Sequence, residues 1–120
     1  MIVSLNGALV PEEKAAISIH DRGFLFGDAV FETALLHDGG FFRLRDHLDR
    51  FSASAAALRI AAPAADEIDR LVRAVVDANA LRDANIRMTL TRGVRERARA
   101  HRPPLPGAPR RGDRRPGTAW

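Results

Sequence analysis

The chain has 120 residues, a mass of 13.1 kDa, 46% hydrophobic and 28% charged residues and a formal net charge of +4. That length suits one modest core. It contains no cysteine, which excludes disulfides, cysteine-ligated metal sites and thiol nucleophiles, and no apolar run approaches the roughly 20 residues of a membrane span. The N-terminus lacks a basic stretch leading into a long apolar one, so the expectation is a soluble, cytoplasmic protein without a secretory signal.

The first predicted elements are two short strands, Ile2–Leu5 and Ala8–Val10. They flank Asn6-Gly7, the dipeptide that best tolerates the positive φ angles of a two-residue hairpin turn. Pro11-Glu12-Glu13-Lys14 follows as a surface turn. The stretch from Asp21 to Thr33 then holds two glycines, three phenylalanines and four charges, and reads as turn-rich. On composition alone its phenylalanines anchor a loop in the core. The functional alternative is that they wall an apolar pocket.

A strand is expected over Val30–His37, a turn at Asp38-Gly39-Gly40 and a returning strand over Phe41–Leu44. From Leu44 to Leu58, apolar residues at Leu44, Leu48, Phe51, Ala55 and Leu58 recur every three or four positions, which predicts a helix with one buried face. After Pro63, a second amphipathic helix is expected over about Asp66–Ala78, with Ile68, Leu71, Val72, Val75 and Val76 inward. Ile86–Thr91 alternates as a last strand. The predicted fold class is α+β, a mostly antiparallel sheet with two amphipathic helices on one side.

Composition breaks at Gly93. Residues 1–93 carry 11 basic and 13 acidic side chains, a net of −2, whereas residues 94–120 carry eight arginines against Glu96 and Asp113, a net of +6. The tail also holds five of the seven prolines. The expected organisation is a domain over 1–93 and an Arg/Pro/Gly-rich disordered tail over 94–120.

Within the domain, Arg50 shares a helix stripe with His47 and Ser54 beside Phe51. Its planar fork suits a phosphate or carboxylate; the plainer reading is an ion pair with Asp46 or Asp49. Arg87 shares a strand face with Thr89 and Thr91, and reads either as a contact for a substrate carboxylate or as a solvated side chain. No two histidines stand at i, i+4 and no serine lies in a nucleophile elbow, so neither a metal site nor a Ser–His–Asp site is expected.

The order of motifs resembles the N-terminal small domain of fold-type IV (class IV) pyridoxal-phosphate enzymes. These are the branched-chain aminotransferases, D-amino-acid aminotransferases and aminodeoxychorismate lyases. The matching elements are Asn6-Gly7, Asp21-Arg22-Gly23 through Phe31-Glu32-Thr33, Asp38-Gly39-Gly40 and Phe42-Arg43-Leu44. His47-Leu48-Asp49-Arg50-Phe51, Ser52-Ala53-Ser54-Ala55 and Ile86-Arg87 to Thr91-Arg92-Gly93 complete them. The likeness covers residues 1–93, and the Asp21-Arg22-Gly23 form looks nearer to the D-amino-acid aminotransferases and the lyases.

The resemblance implies that Arg50 contacts the phosphate of pyridoxal 5′-phosphate and that Phe26, Phe31 and Arg87 surround the substrate pocket. It also implies an amino-acid or 2-oxo-acid substrate and a homodimer. In this family the catalytic lysine lies in a following large domain. Lys14, the only lysine beside eighteen arginines, does not occupy its place, so no residue here is assigned a catalytic role. Arg97 or Arg99 is expected to stand in for a loop arginine that meets the substrate carboxylate. The implied whole is a truncated aminotransferase or lyase, inactive alone; the abrupt switch to Arg, Pro, Gly and Ala at a motif boundary gives the further expectation that the tail is an out-of-frame reading of GC-rich DNA or the end of a truncated gene. The alternative is a non-enzymatic domain with a basic nucleic-acid-binding tail, disfavoured because no aromatic residue but Trp120 accompanies the tail arginines.

Overall fold

The computed structural model describes residues 1–94. Asn6 and Gly7 both take positive φ, 52° and 83°, and close β1 (Ile2–Leu5) onto β2 (Ala8–Pro11) with Leu5 opposite Ala8. Lys14 ends an exposed single 3-10 turn over Glu12–Lys14, the surface position its neighbours predict. A short helix, α1 (Arg22–Phe26), leads into β3 (Ala29–His37). Then come β4 (Gly40–Phe42), α2 (Leu44–Ala57), α3 (Ala65–Ala78) and β5 (Ala84–Thr91).

The strands form two antiparallel sheets, β1-β2 and β4-β3-β5. The α+β class is as expected. Two details differ. The strand expected over Phe41–Leu44 stops at Phe42, because Arg43 turns into the left-handed region at φ 51° and Leu44 opens α2 instead. The turn-rich stretch contains α1, too short for helical periodicity to register and capped by Asp21, whose carboxylate is held from across the fold by Thr91.

β3 alternates cleanly. Val30, Ala34 and Leu36 are buried on one face, while Phe31, Thr33, Leu35 and His37 lie toward the other. Onto the buried face α2 lays Leu44, Leu48, Phe51 and Ala55, and α3 adds Ile68 and Val72, with Met88 of β5 and Ile60 closing the core. Each such large side chain contributes roughly 1.5–3 kcal/mol on full burial.

The opposite face of the three-stranded sheet has no layer over it among the described residues. Phe31 and Phe42 remain 57% and 62% exposed there, and Phe24 and Phe26 of α1 are equally open. The expectation that phenylalanines anchor the 21–33 stretch in the core is therefore corrected. The anchor is Asp21, 8% exposed.

Of the predicted tail, only Val94 is described. It bridges to Asp21. The remaining tail readings, including those for Arg97 and Arg99, lie outside the described residues.

Candidate functional site

Glu32 occupies the core phase of β3, between Val30 and Ala34, and its side chain is only 12% exposed. A carboxylate there needs partners. Two come from α2, where His47 and Arg50 stand three apart on the stripe flanking Leu48 and Phe51. Arg50 donates from Nε to Oε1 at 2.7 Å and from Nη2 to Oε2 at 2.8 Å. His47 Nδ1 lies 2.8 Å from the same Oε2 and 3.1 Å from Arg50 Nη2. The carboxylate only accepts, so in the shorter contact Nδ1 carries the proton and donates to Glu32; Arg50 Nη2, itself only a donor, then lies against Nδ1 without a hydrogen bond. The Arg50 fork, followed by His47, holds the Glu32 carboxyl well below its usual 4.5, at about 2, against an opposing effect of burial. The same pairing raises the Arg50 pKa.

The expected ion pair of Arg50 with Asp46 or Asp49 is not what forms. Asp46 is taken by Arg43 and Asp49 by Arg45, while Arg50 turns to the sheet. Its guanidinium keeps Nη1 outside the Glu32 pair and the side chain is 64% exposed, so the residue still faces outward with donors to offer.

Arg87 lies on the opposite face of the sheet. It stands opposite Thr33 and diagonal to Phe31, with its guanidinium carbon 3.9 Å from the Phe31 ring centre. The structure thus brings Phe31 and Arg87 together and sets Arg50 behind them, since consecutive residues of one strand, Phe31 and Glu32, project to opposite sides. Phe26 belongs to a third group at α1, where the Arg22 guanidinium lies over its ring at 5.1 Å.

The α1 turn is held to the end of β5. Asp21 accepts from Gly23 N at 2.7 Å and from Phe24 N at 3.4 Å, capping the helix, and from Thr91 Oγ1 at 2.8 Å. Arg22 N donates to Gly93 O and Arg92 N to Asp28 O. Arg92 also grips the Asp28 carboxylate, lowering its pKa, and donates to the carbonyls of Leu58 and Arg59 at the end of α2. These contacts fix the loop that carries Phe24 and Phe26 to both α2 and β5.

Residue pattern alone does not single out Glu32, Asp21 or Arg92. For Glu32 a signal is present: a lone acid in the core phase of an alternating strand, with arginine and histidine three apart on a following helix.

The sequence profile of the family described as Amino-transferase class IV matches residues 29–109, about two thirds of the chain. The chain belongs to the class IV aminotransferase family. The match runs beyond Gly93, past the compositional boundary.

Among class IV aminotransferase relatives, a putative branched-chain-amino-acid aminotransferase of Methanocaldococcus jannaschii is 43% identical over 95 residues, 78% of this chain and 33% of the relative. A D-alanine aminotransferase of Listeria monocytogenes is 39% identical over the same length and the same shares. Among solved structures, a branched-chain aminotransferase from the thermophilic archaeon Thermoproteus uzoniensis, with norvaline, superposes with a TM-score of 0.73 at 31% identity. That match covers 86% of this chain and 37% of the other. The chain therefore spans about a third of the length of the class IV aminotransferases it matches. No helix of the described residues is long and apolar enough to cross a membrane.

Proposed function

We propose that residues 1–93 are the small-domain portion of a pyridoxal-phosphate-dependent aminotransferase, which transfers an amino group between an amino acid and a 2-oxo acid, or of the related aminodeoxychorismate lyase. The observation that carries this reading is Arg50. Its fork is oriented by Glu32, yet the side chain is largely exposed, so it fits a phosphate dianion. When bound, pyridoxal 5′-phosphate supplies the electron sink for carbanion chemistry at the amino-acid α-carbon. Arg50 would hold its phosphate, with His47 and Glu32 fixing the angle of the fork. Phe26, Phe31 and Arg87 are assigned to the substrate side, where aromatic walls and a guanidinium suit the body and the carboxylate of an amino acid.

Arg50 and the Phe31–Arg87 pair lie on opposite faces of the sheet, so residues 1–94 do not close one pocket around both. The other walls, and the lysine that takes up the cofactor, are assigned to the part of the family's length outside this chain. The open phenylalanine face is consistent with burial against that part and within a homodimer. The arginine-rich segment after Gly93 is read as a shifted frame. Translating the DNA after the Gly93 codon in the other two frames is expected to yield a lysine-bearing continuation of family type, and its absence from both would refute the shift.

The purified chain, supplied with pyridoxal 5′-phosphate, an amino acid and a 2-oxo acid, is expected to show no turnover. Borohydride treatment is expected to leave Lys14 unlabelled. Turnover, or stoichiometric labelling of Lys14, would overturn the reading of an inactive small domain.

A further inference from the structure

The chain has three asparagines, Asn6, Asn79 and Asn85, and only Asn6 is followed by glycine. Asparagine is among the thermally labile residues. Its side-chain amide is lost when the backbone nitrogen of the next residue attacks its carbonyl carbon, and a side chain on that next residue hinders the approach. β-Branched Ile86 follows Asn85 inside β5. Ala80 follows Asn79, whose side chain is fully engaged. Its Oδ1 accepts from Ile2 N at 2.7 Å, and its Nδ2 donates to the carbonyls of Ile2 and Val75 at 2.8 Å.

Asn6 is exposed, and so is Gly7, where a Cβ would meet nothing within 4 Å. The Gly7 N–H has no hydrogen-bond partner among the described residues. Asp38-Gly39, the other described turn with two consecutive positive φ angles, is the contrast. There the glycine N–H donates to Arg82 O at 2.9 Å, and Arg82 holds the Asp38 carboxylate. The attacking nitrogen is engaged at one turn and free at the other.

We propose that Asn6 is a site of spontaneous deamidation, gated by opening of the β1-β2 hairpin. The Gly7 nitrogen, on losing its proton, bonds to Asn6 Cγ. The Cγ–Nδ2 bond breaks, ammonia leaves, and a five-membered succinimide ring closes. Water then opens the ring. Addition at Cγ gives aspartate, whereas addition at the former backbone carbonyl gives isoaspartate, whose main chain runs through Cβ and Cγ.

The gate follows from geometry. Asn6 sits in the left-handed region at φ 52°. There ψ is about +47°, whereas ring closure needs the opposite half of the ψ circle, so the turn has to open first. The pairing of Leu5 with Ala8 and of Val3 with Val10 resists that opening, as does the Asn79 clamp on Ile2. The two products differ in effect. Asp-Gly suits the same two-residue turn, so aspartate keeps the hairpin and adds one negative charge. Isoaspartate inserts a methylene into the loop and breaks the register that sets Leu5 opposite Ala8. The inference goes beyond the cofactor reading and does not depend on it.

The test incubates the purified full chain at mildly alkaline pH, digests samples with trypsin and follows the peptide Met1–Lys14 by mass spectrometry. That peptide should pass into two chromatographic peaks of equal mass, each with OH in place of NH2. The peptides carrying Asn79 and Asn85 should stay unchanged. Denaturing urea should speed the conversion. Asn79→Ala, which deprives Ile2 of two hydrogen bonds, should speed it at least about fivefold in the folded chain. In the separated isoaspartyl chain, amide exchange at Val3 and Leu5 should rise about tenfold, as loss of one hydrogen bond would produce. No conversion, conversion of all three asparagines at one rate, or a rate unaltered by urea would each overturn the proposal. Should Asn79→Ala fail to fold, the urea comparison decides whether the hairpin is the gate.

Discussion

Arg50 and Glu32, 18 residues apart, meet through two parallel hydrogen bonds that tie α2 to the inward side of β3. The pair has a pH signature. The Glu32 carboxyl is held at about 2 against an ordinary 4.5, so its charged form is favoured by folding. The resulting stability is fully present above pH 4.5 and is lost as pH falls from there through about 2. Glu32→Gln should therefore be less stable than the parent at pH 7, and the gap should close as pH drops through that window. Urea midpoints for the two chains at several pH values measure it. A gap that stays constant down to about pH 2 would contradict the ion pair.

Arg50→Lys keeps the charge but removes the planar fork. Under the proposed cofactor role, affinity for pyridoxal 5′-phosphate or inorganic phosphate should fall at least roughly tenfold, with the fold retained. Phosphorus NMR titration reads the affinity and circular dichroism the fold. Arg45→Lys, on the same helix but paired with Asp49 and Asp66, serves as the control and should leave phosphate binding unchanged.

Gly23 is required by close approach. A Cβ at this position would lie 2.5 Å from Thr91 Cγ2 and 2.9 Å from both Thr91 Cβ and Asp21 Oδ1. Gly23→Ala should cost about 1–3 kcal/mol by overpacking. Thr91→Ser keeps the hydroxyl that Asp21 accepts from and removes the nearer methyl. The double variant Gly23→Ala with Thr91→Ser should accordingly recover part of the loss, and denaturation of all four chains in the cycle shows whether the two positions couple.

Arg92 ties two segments to the end of β5, one through Asp28 and the other through Leu58 O and Arg59 O, and is 36% exposed. Arg92→Ala leaves two carbonyls at the end of α2 and the Asp28 carboxylate short of donors. The melting temperature should fall further than for Arg45→Ala, which removes only exposed surface pairs. Limited proteolysis should speed up near Leu58–Ile60. Equal melting temperatures for the two variants would argue against this clamp.

Much of the framework follows from residue pattern alone. Asn6-Gly7 specifies its hairpin because both positions must tolerate positive φ. Leu44, Leu48, Phe51 and Ala55 mark the inner face of α2 because a helical period of about 3.6 residues stacks them on one side. The α+β class follows from the same kind of reading, whereas the class IV family enters only through the resemblance of the ordered motifs.

Periodicity records which side of an element is buried, but not what it meets. The partner of Arg50 is therefore not readable from its neighbours: Asp46 and Asp49 are closer in sequence, but the packing of α2 on β3 delivers Glu32. The short helix α1 depends on Asp21 and Thr91, 70 residues apart, which only the folded sheet brings together. The division of the candidate residues between two faces is decided in the same way. Phe31 and Glu32 are consecutive, and a strand sends consecutive side chains to opposite sides. Tertiary packing then gives one of them a helix to pair with and leaves the other exposed beside Arg87.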